Sequence, residues 1–153
     1  MTSFRFPLQK ALDWRRTQLE LEEARFKQRA AAMADLDRER AEIEASGIRA
    51  EFAVRHWQPL AGLDLAALGS FRLQVKQREV QLATRRADCQ RELDARQAAM
   101  LEARRRCRLL ERLKERRLAE WQSARDRELE ELASESYLAL WNRRSSEPPS
   151  SSL

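Results

Sequence analysis

Apolar residues recur every seven positions along the first third of the chain. Leu12, Leu19, Phe26 and Met33 share one heptad position, and Val54 returns to it after Arg40 and Gly47. Leu8, Leu36, Ile43 and Ala50 occupy a second position of the same frame, which Arg15, Glu22 and Arg29 interrupt. A repeat held in one register over this span predicts a long helix with an imperfect coiled-coil seam. A second apolar series follows later in the chain: Val75, Leu82, Cys89, Leu93, Met100, Cys107, Leu110 and Trp121.

The helix breakers mark the boundaries. The only glycines are Gly47, Gly62 and Gly69, and the only prolines are Pro7, Pro59, Pro148 and Pro149. Inside a helix Gly costs about 1 kcal/mol and Pro about 3 kcal/mol, so breaker-free stretches favour uninterrupted helices. Pro7 suits a first helical turn, where its missing N–H is harmless. Helix 1 is predicted over about 7–56, a tip over 57–69 and helix 2 over about 70–143. In the tip, Pro59 and Gly62 are expected to stop the first helix. Asp64 then caps a single LAAL turn closed by Gly69, and Ser70 serves as the N-cap of helix 2. Residues 145–153, SSEPPSSSL, are polar and proline-containing and read as a disordered tail.

A short connector makes the helices antiparallel neighbours. The fold class is therefore all-α: an antiparallel coiled-coil hairpin over 1–144 with helix 2 longer than helix 1. Folding the chain about the tip sets Leu19 against Cys107, Phe26 against Met100 and Met33 against Leu93. It also sets Leu36 against Cys89, Ile43 against Leu82, Ala50 against Val75 and Leu8 against Leu118. In this register helix 2 projects past helix 1 from about Trp121, leaving an overhang with no intrachain partner. Its apolar residues Trp121, Leu132, Tyr137 and Trp141 are candidate partner contacts. So are Trp14 and Leu21, one heptad apart and off the seam, which otherwise flank the seam and are partly covered. The unpaired overhang also allows a weak homodimer.

Charge refines the picture. The chain has 30 basic and 25 acidic residues among 153, a net charge of +5. Acids interleave with arginines almost everywhere, which is usual on a solvated coiled-coil surface and argues against a nucleic-acid-binding arm. Two segments depart from this mixing. Residues 104–117, RRRCRLLERLKERR, are strongly basic, and beyond Ala119 the balance turns acidic. Such segregation reads either as a docking surface for a charged partner or as a solvated helix face.

Candidate chemistry is sparse. Cys89 and Cys107 lie 18 residues apart on one predicted helix, roughly 27 Å in rise, too far for a disulfide within it. Free thiols fit a reducing cytoplasm. The single histidine, His56, sits at the tip, and no Cys/His cluster suggests a metal. No phosphate-binding loop or nucleophile–base spacing is present, and open helix faces leave carboxylates solvated. The expectation is a protein that is not an enzyme and has no cofactor and no metal site. The N-terminus has no apolar signal-peptide core, and no stretch approaches a membrane span.

Three segments carry a family resemblance. The opening Phe4-Arg5-Phe6-Pro7-Leu8-Gln9-Lys10-Ala11-Leu12 resembles the F-x-F-x-L-x-x-x-L start of the FliJ family of flagellar export proteins. The run Leu110-Glu111-Arg112-Leu113-Lys114-Glu115-Arg116-Arg117 is similar to that family's L-E-x-L-K-E-R-R segment. Glu130-Glu131-Leu132-Ala133 resembles its acidic ending. The resemblance implies a cytoplasmic coiled-coil component of type III protein export, peripheral at the inner face of the membrane. The implied partners are the export ATPase hexamer, the membrane export gate and export chaperones, with no nucleic acid. Carried onto this chain, the ATPase-contact candidates are Phe4, Phe6, Arg112, Leu113, Arg116 and Arg117. Gate-binding residues are not implied, because the connector with Trp57 and Pro59 matches no part of the pattern. A stalk protein of a virulence secretion system and a general coiled-coil scaffold are the alternatives.

Overall fold

The computed structural model describes residues 3–56 and 62–146. They form two helices, α1 (Gln9–Arg55, 47 residues) and α2 (Gly62–Ser146, 85 residues). The all-α helical hairpin with the longer second helix is thus present. The chain divides into two compact units, and the divisions fall inside both helices.

The unit Arg15–Arg105 is held by a thin seam. Met33, Leu36, Leu82 and Cys89 are buried in one cluster, with Ala32 and Ile43 packed against it. The predicted facing pairs Leu36–Cys89 and Ile43–Leu82 fall within this cluster. The remaining predicted seam residues here, Leu19, Phe26, Ala50, Val54, Val75, Leu93 and Met100, are half-buried. A two-helix arrangement encloses each side chain from few directions, so even a well-placed seam residue keeps some exposure. Ion pairs flank the seam: Arg72–Glu51 (3.3 Å), Arg86–Asp37 (2.7 Å), Arg29–Glu92 (2.9 Å) and Arg104–Glu23 (3.1 Å). As the α1 partner moves toward the N-terminus, the α2 partner moves toward the C-terminus, which defines antiparallel pairing. Each exposed pair contributes only about 0–1 kcal/mol, so these bridges select register more than they stabilise.

The tip differs from expectation. α2 begins at Gly62, and Asp64, the LAAL turn, Gly69 and Ser70 all lie within it. Gly69, the interior glycine of α2, costs about 1 kcal/mol, which the surrounding run of Leu, Ala, Gln and Arg outweighs. Asp64 lies in the first turn and Arg143 and Arg144 in the last, where their charges complement the helix dipole. Gly47 likewise lies inside α1. His56 is exposed, with Nδ1 2.8 Å from the Phe52 carbonyl oxygen, a contact that satisfies one end carbonyl of α1. The expected stop at Pro59 and the distal tail, residues 147–153, lie outside the described residues; Ser145 and Ser146 are helical.

A stability prediction follows from the glycines. A methyl group built at Gly47 or Gly69 meets nothing within 4 Å. Gly47→Ala and Gly69→Ala are each expected to stabilise the fold by about 0.5–1 kcal/mol. Urea denaturation followed by circular dichroism measures this, and a loss of stability would show that these glycines serve the backbone.

Candidate partner-binding surface

The second unit joins the N-terminal segment, through Trp14, to α2 from Arg106 onward. Its centre is Leu12, the one fully buried large side chain among the described residues, with Cys107 (3% exposed) and Phe6 also buried. Both cysteines are buried and neither is in a disulfide. Lys114 Nζ donates to Gln9 Oε1 at 2.8 Å, fixing the start of α1 beside the middle of the basic run.

Residues 3–6 precede α1 without regular secondary structure and lie against α2. The Phe4 ring meets Trp121 at 6.0 Å between centroids, tilted by 52°. The Arg125 guanidinium sits 5.3 Å from the Trp121 ring centroid, a cation–π contact. A shallow groove of about 710 Å³ runs here, bordered by Phe4, Phe6, Leu113, Arg117 and Trp121.

This geometry corrects three expectations. Leu8 does not fill the seam opposite Leu118; it is 42% exposed, and Phe6 is buried instead. The cause is the turn at Pro7–Leu8: α1 starts only at Gln9, so Leu8 lies outside the helix whose periodicity it was read from. Trp121 does not begin the overhang, because Phe4 covers part of it. Phe6, at 9% exposure, has little surface to offer a partner. Of the two phenylalanines, Phe4 is the half-buried one at the groove.

The basic run is sorted by the helix. Arg108, Arg112 and Arg116 recur every four residues on one exposed face, and Leu109 beside them is 57% exposed. Arg116 Nε donates to Glu120 Oε1 at 3.1 Å within its own helix. Among the described residues, Arg108, Arg112 and Arg117 are exposed and make no ion pair. Leu113 points to the groove and is half-buried. Sequence reasoning singled out Arg112, Arg116 and Arg117 but missed Arg108 and Leu109. The four-residue spacing from Arg108 to Arg116 is the signal that finds Arg108; Leu109 lies off that spacing.

Farther along α2, every residue from 122 to 146 is exposed except the half-buried Arg125. Leu132, Tyr137 and Trp141 are 56–66% exposed, as the overhang reading expected. Trp14, in this unit, is 53% exposed; Leu21, in the other, is 43% exposed. Among the described residues no cluster of three or more metal-ligating side chains occurs, and no helix is long and apolar enough to cross a membrane.

The Phe4–Trp121 contact carries a prediction. Aromatic pairs contribute about 0.5–1.5 kcal/mol beyond burial. In a variant whose other tryptophans are Phe, Phe4→Ala is expected to red-shift Trp121 emission as the indole gains water. An unmoved spectrum would mean that residues 3–6 do not cover Trp121 in solution.

Fold and surface together define a helical hairpin with a basic stripe beside an aromatic groove and, among the described residues, an exposed helix end at 122–146. Comparison with family models, with curated proteins and with solved structures returns no match.

Proposed function

We propose that this chain is a non-enzymatic, stalk-like component of the flagellar type III protein export machinery. In this reading it binds the ring of the export ATPase and assists delivery of substrates and chaperones to the export gate. The observation that supports it most is spatial. Two segments that carry the FliJ-family resemblance, the Phe4–Leu12 opening and the basic run at 110–117, lie side by side in one unit, joined by Gln9–Lys114. Their shared surface is charged and open, and a ring lined with acidic loops would complement Arg108, Arg112 and Arg117. Exposed charge contacts are worth about 0–1 kcal/mol each, so the complex is expected to be weak and salt-sensitive, as suits a part that turns or exchanges.

The test is a pull-down with the full chain from the cytoplasm of its own cell at low salt. Recovery of a hexameric export ATPase supports the reading. Recovery of nucleic acid, or of an injectisome ATPase, would replace it.

A further inference from the structure

The largest feature that the proposed function leaves unused is the α2 segment 122–146. Its side chains are not randomly arranged. At 3.6 residues per turn, Leu129, Leu132, Ala133, Tyr137, Leu140 and Trp141 fall on one face, spaced i, i+3, i+4, i+8, i+11 and i+12. The five large members of this stripe are 46–66% exposed. After a mixed start at Arg125, Asp126 and Arg127, its charges are also ordered: Glu128, Glu130, Glu131 and Glu135 come before Arg143 and Arg144.

We propose that this stripe is a self-association surface, occupied by the same segment of a second copy of this chain running antiparallel. Charge order selects both the occupant and the direction. In a parallel pair the acidic part of one copy would meet the acidic part of the other, which is repulsive. In an antiparallel pair centred between Ser136 and Tyr137, the acidic part of one copy, with Glu130, runs along the basic end of the other, with Arg143. This pairing also sets Ala133 opposite Leu140, a small residue against a large one, as close helix packing requires. Ser136 then lies near the two-fold axis beside Tyr137. Its hydroxyl already donates to the Leu132 carbonyl at 2.8 Å, so covering it leaves no unsatisfied donor. A two-fold pair of this kind is self-complementary and closed, which limits assembly to the dimer. The stripe is about four turns long, a small interface, so association is weak and reversible. The inference does not depend on export function.

Sedimentation equilibrium of the full chain at rising concentration tests it. The expected result is a mass that climbs from one copy to two. Leu132→Glu with Leu140→Glu is expected to weaken association at least tenfold; both side chains are exposed, so helicity should stay as in the parent. Glu130→Arg and Arg143→Glu should each weaken the dimer, and the double exchange should restore it. Ser136→Cys should cross-link copies under mild oxidation, while Leu129→Cys should not. A chain that stays monomeric throughout, including one whose stripe is protected only by another protein, would overturn the proposal. So would a dimer indifferent to Leu132 and Leu140, or a charge exchange that fails to restore association.

Discussion

Leu12→Ala is expected to destabilise the protein by about 2–5 kcal/mol, the usual range for emptying a fully buried leucine site. Leu12 has no exposed surface, although it sits near the beginning of a helix in a hairpin two helices thick. Among the described residues, Phe6 and Cys107 are the other buried side chains of that unit, so few neighbours remain to collapse into the gap. The loss should fall on the unit that contains residues 106–146 rather than evenly along the chain. Urea denaturation measures the total. Hydrogen exchange should show faster opening of amides around Leu12 and Cys107 than around the Met33, Leu36, Leu82 and Cys89 cluster. Leu109→Ala, at a 57% exposed site in the same helix, should stay within about 0.5 kcal/mol of the parent. Equal effects at Leu12 and Leu109 would show that the seam is not what holds this unit.

The second large effect concerns binding. Under the proposed function, replacing Arg112, Arg116 and Arg117 together by Glu is expected to lower affinity for the export ATPase roughly tenfold to a hundredfold at low salt. The change turns three attractions into repulsions and needs no loss of fold, because all three side chains are exposed. Arg116 gives up only an intrahelical pair with Glu120, a pair worth a few tenths of a kcal/mol. The effect should shrink as salt rises, since the interaction is screened over about 10 Å at 0.1 M. Titration calorimetry at two salt concentrations reads both quantities. Unchanged affinity at low salt would remove the basic run from the ATPase contact while leaving the fold assignment untouched.

Much of the architecture was legible because it is written in local terms. The heptads of α1 marked Leu12, Met33 and Leu36, and the second series marked Leu82, Cys89 and Cys107; all six are buried. The misreadings occurred where one residue's propensity was weighed alone. Gly69 is expected to close a separate LAAL turn, yet it lies inside α2, where one glycine costs only about 1 kcal/mol against a long run of helix formers. Leu8 was read by extending a helical period one turn beyond the point where the helix begins. Phe6 and Phe4 carry no periodic signal, because they precede α1 and belong to no helix. The candidate surface was half legible: a basic composition over 104–117 is visible, but which arginines share a face depends on the helix's angular order.

The sequence by itself determined two long helices, their unequal lengths and the seven-residue seam, since propensity and periodicity act within a few turns of the chain. Tertiary structure decided which apolar side chains are spent on the fold and which remain available. Phe6 is buried, Phe4 half-covers Trp121, and Leu132, Tyr137 and Trp141 stay exposed. The reason is that burial is a property of pairs of segments. Whether a residue near the end of a helix is covered depends on where the other strand of the hairpin starts, and no local pattern encodes that distance.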